Sequence, residues 1–182
     1  MKLRNILNNL LLEVNVGSIP WYHGSKTEIK KFDYGKVGSN EEHITNYHGW
    51  GIYFISKLDR AKKYGDVVTE VRISSSANIL KGKVTPKQCK QVYEGLVKRG
   101  AAKENDKEWL LNPKYESGSV LNDAENFYFG FREFYRKSFK DKQEVSNFLL
   151  GCGIDGMLVV NDVNDEILVI FNDSIIDIVG VV

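Results

Sequence analysis

The sequence has few cysteines and no excess of charge of either sign. Its 182 residues include two cysteines, Cys89 and Cys152, too few for a disulfide framework or a four-cysteine zinc site. A reducing compartment is therefore expected. Basic residues number 25 and acidic residues 24, so the net charge of +1 creates no global field that would draw the protein onto nucleic acid or a membrane.

The sequence also lacks a long hydrophobic run. No segment approaches the length of a transmembrane helix. Asn5, Asn8 and Asn9 interrupt the N-terminal apolar stretch, which a signal-peptide core does not tolerate. The apolar residues of this stretch recur instead at helical spacing. We therefore predict an amphipathic helix over residues 1–17, packed on the domain, and a cytoplasmic protein with no membrane partner.

Internal repeats, low-complexity tracts and Pro/Gly/Ser-rich linkers are absent as well. Residues 1–182 are thus predicted to form a single domain, and a hydrophobic content of 42% is typical of a globular chain of this length. Strand and helix patterns alternate without a strict βαβ rhythm. The expected fold class is α+β.

The first half of the chain carries signals for two strands around a short helix. Residues 33–49 are polar and rich in glycine, and read as a long loop of the kind that serves a site. Residues 51–55 predict a strand, residues 57–65 a short helix with Ser56 as its N-cap, and residues 67–74 a second strand.

The second half carries stronger helix signals. Thr85 and Gln88 form a capping box for a helix that ends at Gly100, with Cys89 on its apolar stripe as a core residue. Residues 101–118 predict a loop. Two more helices and a terminal hairpin follow, in that order: "AENFYFGFREFYRKSF", "DKQEVSNFLLGCG" with its capping aspartate, and "GMLVVNDVNDEILVIFND".

Two short stretches stand out as candidate ligand-binding segments. In "WYHGS", His23 and Gly24 follow a predicted short strand, where a histidine can contact a hydroxyl or phosphate and a glycine allows close approach of a ligand. In "HGWGIYFISKLDRAKKYG", Tyr53 and Tyr64 can face one another across a slot that suits a flat cationic ring. Taken alone, the histidine and the tyrosine pair each favour a structural role, and the glycines Gly49 and Gly51 before the strand favour a ligand-facing entry.

The ordered combination of these stretches resembles the ADP-ribosyltransferase superfamily. "HGS", then a loop, "GWGIYF", and a tyrosine eleven residues after the first resemble the His-Tyr-Glu branch, which includes poly-ADP-ribose polymerases and diphtheria-type toxins. The match covers roughly residues 20–74, and "GIDGMLVV…EILVIF" over residues 151–178 resembles the closing strands. Residues 80–145 show no match. The resemblance implies a split β-sheet core with flanking helices.

The resemblance also implies NAD as co-substrate and a role for each matching residue. His23 would bind the adenosine-side ribose, and the Gly24 backbone the nicotinamide carboxamide. Tyr53 and Tyr64 would sandwich the nicotinamide ring, with Gly51 at the entry. Relatives often carry a serine where this chain has Ala61, so the resemblance implies that Ser25 or Ser56 serves the carboxamide instead, or that nicotinamide is held more weakly.

The catalytic carboxylate departs from the family pattern. The family pattern places a glutamate four residues before an aromatic, and counting back from Phe171 reaches Ile167 rather than an acid. Glu166 fits if Ile170 takes the aromatic position or if a bulge turns the strand. Asp165 is the second candidate. The catalytic set implied by the resemblance is therefore Glu166, Tyr53 and His23, with Asp165 as the alternative.

The resemblance implies a mono-ADP-ribosyltransferase of phage or toxin type. Its acceptor would be a protein or a nucleic acid, and an antitoxin or inhibitor protein could be a further partner. A catalytically inactive module that keeps the fold and binds NAD or a partner is the alternative. A metal site built from His23, Glu42, His43 and His48 has no supporting spacing, so no metal is expected.

Overall fold

A seven-stranded mixed β-sheet is the central element of the described residues. A computed structural model describes residues 15–37, 48–82, 84–103, 124–135, 137–160 and 165–182. The strand order is β4-β5-β6-β2-β1-β3-β7, with β4 and β5 parallel and every other neighbouring pair antiparallel. The strands are β1 (Trp21–Ser25), β2 (Ile52–Ile55), β3 (Val67–Ile73), β4 (Ile79–Lys81), β5 (Gly156–Val160), β6 (Glu166–Ile170) and β7 (Ile176–Val181).

Four α-helices accompany the sheet in the described part of the chain. They are α1 (Leu58–Ala61), α2 (Pro86–Lys98), α3 (Ala124–Phe134) and α4 (Lys142–Gly151). Helix α2 begins with the predicted capping box of Thr85 and Gln88, and Asp141 caps α4 through the backbone N–H of Glu144. These side chains satisfy N–H groups that the first helical turn leaves unpaired.

The sheet has a hydrophobic core on each face. One face packs against α2, α3 and α4, and the aromatic residues of α3 fill much of that core. The other face is covered by irregular segments and short 3₁₀ turns, with Trp21, Phe32 and Phe54 as its large side chains. A third, small cluster places α1 over the β1–β2–β3 region through Ile55, Ala61 and Val68.

Strands β1 and β2 meet at a single pair of residues in the middle of the sheet. Their register contains only Tyr22 opposite Ile55, whereas β1 pairs with β3 along its whole length. Beyond Tyr22 the two strands lack regular pairing, and His23 and Gly24 lie in that segment of β1. The narrow join leaves an interruption in the ladder at the point where the sequence places its candidate site.

Most predicted elements are confirmed, with several corrections. His23 and Gly24 lie inside β1 rather than after it, because β1 begins at Trp21. Ser56 does not cap α1; Lys57 occupies the N-cap position without a side-chain hydrogen bond. Sequence patterns did not predict β4 or β7, short strands that depend on pairing with β5 and β3.

Part of the sequence prediction falls outside the described residues. Residues 1–14 of the predicted N-terminal helix lie outside the described residues. Val16–Ser18 form a 3₁₀ turn capped by Asn15 instead of continuing a helix. Residues 38–47 of the predicted loop and residues 104–118 also lie outside the described residues.

Candidate functional site

His23 joins the two central strands through its side chain. The Nδ1–H of the imidazole donates a hydrogen bond to the backbone carbonyl of Tyr53 at 2.8 Å, in place of a backbone donor from β1. Phe32 and Phe54 contact the ring edge-on, with centroids 5.3 and 5.8 Å away. Burial lowers the pKa of His23, and the bond to Tyr53 opposes that shift. The imidazole is therefore neutral near pH 7, and its Nε2 is a hydrogen-bond acceptor.

Gly24 has a structural reason to be glycine. A Cβ at this position would lie 2.1 Å from the carbonyl oxygen of Ala61 and 3.1 Å from the Cβ of Tyr64. The last turn of α1 thus rests directly on the β1 backbone. Packing alone accounts for the glycine, and its role toward a ligand remains a prediction. The contact also brings Tyr64 next to Gly24.

The two tyrosines occupy different environments. The ring of Tyr53 is half-buried against the core beneath α3, and its hydroxyl donates to the carbonyl of Gly49 at 2.6 Å. Burial is the main cause that raises the pKa of Tyr53, so this hydroxyl stays protonated. Tyr64 is 66% exposed. The described residues show no ring contact between Tyr53 and Tyr64, so their pairing as a clamp remains a prediction.

Glu166 begins β6 and lies on the same face of the sheet as His23. Phe54, which the His23 ring contacts, is opposite Leu168, and Glu166 is two residues from Leu168. Side chains alternate along a strand, so these residues share a face, whereas Tyr53, opposite Val169, lies on the other face against the core beneath α3. In a flat sheet the Cα atoms of His23 and Glu166 would be roughly 12 Å apart, two strand spacings across and two residues along.

One oxygen atom of the Glu166 carboxylate is buried without a partner among the described residues. Its Oε1 is buried and has no hydrogen-bond partner in the part of the chain that the structure describes, although the residue is partly exposed. A buried carboxylate oxygen that lacks a donor costs free energy. A ligand, a water molecule or a positive charge could complete the interaction, and the hydroxyls of Tyr34 and Thr69 and the indole N–H of Trp50 are likewise buried without a hydrogen-bond partner among the described residues.

The register of β6 distinguishes the ways in which Glu166 could match the family pattern. β6 pairs with β2 and β5 in unbroken register, so the described residues show no bulge beside Glu166, and residues 161–164 of the preceding turn lie outside them. Glu166 and Ile170 lie on one face, while Phe171 packs on the opposite face against Tyr128. The spacing that uses Ile170 in the aromatic position agrees with this register.

Asp165 has a structural role at the base of α1. Its side chain is 5% exposed and forms ion pairs with Lys57 at 2.9 Å and Arg60 at 3.2 Å. Both cations belong to the segment that forms α1. Asp165 therefore holds α1 against the start of β6, and its charge is already compensated.

The remaining predicted binding residues make hydrogen bonds or close contacts with backbone atoms. Ser25 donates its hydroxyl to the carbonyl of Thr27 at 2.6 Å. A Cβ on Gly51 would lie 2.6 Å from Val169 Cγ1 and 2.7 Å from the Ile170 carbonyl, so close packing of β6 requires this glycine. The backbone N–H of Ser56 donates to the Glu166 carbonyl at 3.2 Å, which places Ser56 beside the candidate acid.

The residues of the rejected metal site are not brought together in the described structure. His23 and His48 belong to different interactions, and residues 42 and 43 lie outside the described residues. Within the described ranges, no group of three or more His, Cys, Asp or Glu side chains could hold a metal ion. The described helices likewise include none that is long and apolar enough to cross a membrane.

Sequence reasoning missed a polar cluster that fixes the segment before β2. His48 Nδ1 is 2.7 Å from Glu125 Oε1, the Trp50 N–H donates to the Tyr128 hydroxyl at 3.3 Å, and Ser146 donates to the Trp50 carbonyl at 2.7 Å. The partners are 77 to 96 positions apart in the sequence. No local pattern signals such contacts.

Comparison with known proteins gives one weak structural similarity. No protein-family model matches the chain, and no curated protein matches it. A crystal structure of an anti-CRISPR protein is similar at 14% sequence identity and a TM-score of 0.41, covering 92% of this chain and 98% of that chain. This similarity is too low to assign a fold family or a function.

Proposed function

We propose that this protein is an NAD-dependent mono-ADP-ribosyltransferase with a split-sheet core. It would cleave NAD, release nicotinamide and transfer ADP-ribose to a macromolecular acceptor, a protein or a nucleic acid, in the cytoplasm of the producing or the target cell. An effector of phage or toxin type fits this activity. The proposal combines the ordered His, Tyr and Glu motifs with the placement of their strands, β1, β2 and β6, as neighbours in the sheet.

The buried Oε1 of Glu166, which has no hydrogen-bond partner among the described residues, is the observation that carries the proposal. Cleavage of the bond between nicotinamide and ribose leaves positive charge on the ribose, as in glycoside hydrolysis. A carboxylate with a poorly solvated oxygen stabilises such charge more strongly than a fully hydrated one. The energetic cost of leaving this atom unpaired in the protein is then recovered when the charge develops.

His23 fits the binding of a ribose hydroxyl. Its Nδ1–H is committed to the Tyr53 carbonyl, so Nε2 of the neutral ring accepts a hydrogen bond. A ribose hydroxyl can donate that bond. Because the same side chain joins β1 to β2, the acceptor atom is held in a fixed position relative to Tyr53.

The nicotinamide ring would bind between Tyr53 and Tyr64, beside the Gly24 backbone. The ring carries a positive charge in NAD, which favours two aromatic faces, and it leaves as neutral nicotinamide. Ala61 is buried and offers no hydroxyl to the carboxamide. The backbone of Gly24 would therefore supply more of the hydrogen bonding to the carboxamide.

A catalytically inactive NAD-binding module is the second candidate. The absence of a hydroxyl at Ala61 favours it, because a weakly held carboxamide reduces control of the leaving group. This module would share the binding residues of the enzyme but would not release nicotinamide.

Incubation of the purified protein with NAD labelled in the ADP-ribose part, in the presence of a cell extract, tests the proposal. We expect nicotinamide release together with label in the protein, RNA or DNA fraction, which identifies the acceptor class. Binding of NAD by calorimetry without nicotinamide release would support the inactive module. Absence of both binding and release would contradict both candidates.

A further inference from the structure

The last strand of the sheet, β7, has an apolar and exposed surface. Most of the exposed large hydrophobic side chains in the described part of the chain lie on β7 or directly after it. They are Ile178, Val179, Val181 and Val182, with exposed fractions of 36%, 59%, 53% and 52%. Single exposed hydrophobic residues are normal on a protein surface, whereas a contiguous group is typical of an interaction surface. We call these four residues the β7 strip.

β7 also forms an edge of the sheet. It pairs with β3 on one side, and no described strand pairs with its outer side, where an edge strand presents backbone N–H and C=O groups. Its six residues include no lysine and no proline, the residues that commonly prevent edge-to-edge pairing. The opposite edge, β4, is only three residues long and ends in Lys81. Of the two described edges, β7 is therefore the one suited to receive another strand.

The β7 strip continues across a bulge. The register between β7 and β3 shifts at Val179, the extra residue of the bulge. On either side of it, Ile178 is opposite Val71 and Val181 is opposite Thr69. Val71 and Thr69 are both buried and two residues apart on β3, so Ile178 and Val181 lie on the same face of the sheet. A bulge can deter edge pairing, but here its extra residue is itself an exposed valine.

We propose that β7 is a dimerisation edge and that a second copy of this chain is its partner. Two β7 strands related by a twofold axis run antiparallel, so both copies use the same strip. An axis between Val179 and Gly180 places Ile178 of each copy opposite Val181 of the other. Asp177 is the one charged residue of β7, and the two Asp177 carboxylates then lie toward opposite ends of the paired strands.

Charge favours a second copy over a charged partner. The single charge of β7, Asp177, is opposite Arg72 on β3. The whole chain has a net charge of +1, so two copies repel each other little. The strip thus has no charge that would select an acidic or a basic ligand, and apolar self-complementarity is the property that it offers.

The size of the surface predicts a weak dimer. Six residues of strand extend about 20 Å, and a paired edge of that length buries roughly half of the ~800 Å² per partner of a standard interface. Small interfaces are characteristic of weak and reversible association, so we expect a dissociation constant in the micromolar range. This inference is independent of the proposed transferase activity, because its test does not involve NAD.

Sedimentation velocity over about 1–200 μM protein tests the proposal, and we expect a reversible shift from monomer to dimer. Val179→Lys places a charge on the strip, as natural proteins do on free edges, and should weaken dimerisation at least about tenfold. Val97→Lys changes a valine of similar exposure, 48%, on α2 and is the matched control. It should dimerise as wild type does. Thermal denaturation of the dilute proteins compares the stability of the monomers.

Amide hydrogen exchange locates the contact. Residues 176–182 of wild type should exchange more slowly at high than at low protein concentration, because pairing protects the amide groups on the outer side of β7. The amides of β4, at the other edge, should show no such dependence. In Val179→Lys the protection of residues 176–182 should be lost.

Three results would overturn the proposal. The first is a wild-type protein that stays monomeric over this range. If Val179→Lys then destabilises the monomer, the strip is covered by the protein's own chain, and if it does not, the strip serves a different partner. The second is dimerisation of Val179→Lys with wild-type affinity. The third is a dimer whose concentration-dependent protection lies outside β7.

Discussion

The Nδ1 atom of His23 lies 2.8 Å from the carbonyl oxygen of Tyr53. This hydrogen bond crosses the centre of the sheet where the backbone ladder between β1 and β2 is reduced to Tyr22 and Ile55. The His23 side chain therefore supplies a hydrogen bond between β1 and β2 where a backbone pair is missing. Gly24 and Tyr64 lie beside this interruption in the ladder. The same imidazole is proposed to bind the ribose of NAD, so its two nitrogen atoms would have separate roles that substitution can distinguish.

Replacement of His23 should separate these two roles. His23→Asn retains an N–H that can donate to Tyr53, so stability should be nearly unchanged, while NAD affinity should fall about three- to tenfold through loss of the bond to ribose. His23→Ala should weaken NAD binding similarly and also lower the free energy of unfolding by about 1–3 kcal/mol, because the carbonyl loses its donor. Calorimetry and urea denaturation measure the two quantities. Unchanged NAD affinity in both variants would contradict this assignment.

The stability of the wild-type protein should depend on pH through His23. Burial lowers its pKa below the ordinary value of 6.5, so the unfolded chain binds more protons than the folded one in the window just below that pH. The contribution of His23 to stability is thus fully present above 6.5 and is lost as the pH falls toward the lowered pKa. The urea midpoint should decrease more from about pH 8 to about pH 5.5 in wild type than in His23→Asn. Equal decreases in the two proteins would contradict a buried neutral imidazole.

Substitution of Gly24 should act first on the fold. An alanine Cβ would lie 2.1 Å from the backbone oxygen of Ala61, so α1 must move. We expect Gly24→Ala to lower the free energy of unfolding by about 1–3 kcal/mol or more, the usual range for overpacking. Thermal denaturation measures the change, and Gly180→Ala, where an added Cβ meets no atom within 4 Å, is the control. A stable Gly24→Ala protein would disprove the close contact with α1.

Substitution of Tyr64 should weaken NAD binding and leave the stability of the fold nearly unchanged, in contrast to substitution of Gly24. Its side chain is 66% exposed, so Tyr64→Ala should leave the free energy of unfolding within about 0.5 kcal/mol of wild type. NAD affinity should fall about tenfold through loss of one aromatic face. Tyr64→Phe keeps the ring and should bind NAD as wild type does. A large loss of stability in Tyr64→Ala without a change in NAD affinity would make Tyr64 a structural residue.

The sequence predicted the elements that have strong local signals. Capping residues placed α2 and α4, alternation of apolar residues placed β3, and short apolar runs placed β2, β5 and β6. The exact position of β1 and the existence of β4 and β7 depend on pairing with strands that are distant in sequence, so local patterns could not predict them. The seven-stranded order follows from the same long-range pairing.

The candidate site was predictable only where residues form compact motifs. His23, Gly24 and Tyr53 stand in short recognisable stretches, and the structure places all three around the narrow join of β1 and β2. The ion pairs of Asp165 and the contact of His48 with Glu125 join residues separated by 77 to 108 positions. The packing reason for Gly24 also appears only when α1 rests on β1. Such relationships are properties of the tertiary structure rather than of any local stretch.

Glu166 carries the central claim, and the neighbouring Asp165 offers an internal control. Glu166→Gln keeps the size of the side chain but removes its charge, whereas Asp165→Asn removes a charge that is already paired with Lys57 and Arg60. Nicotinamide release from NAD should be measured for wild type and both variants at a temperature where all three are folded. We predict that Glu166→Gln binds NAD normally but releases nicotinamide on the order of a hundredfold more slowly, while Asp165→Asn remains active. Full activity in Glu166→Gln would contradict the account.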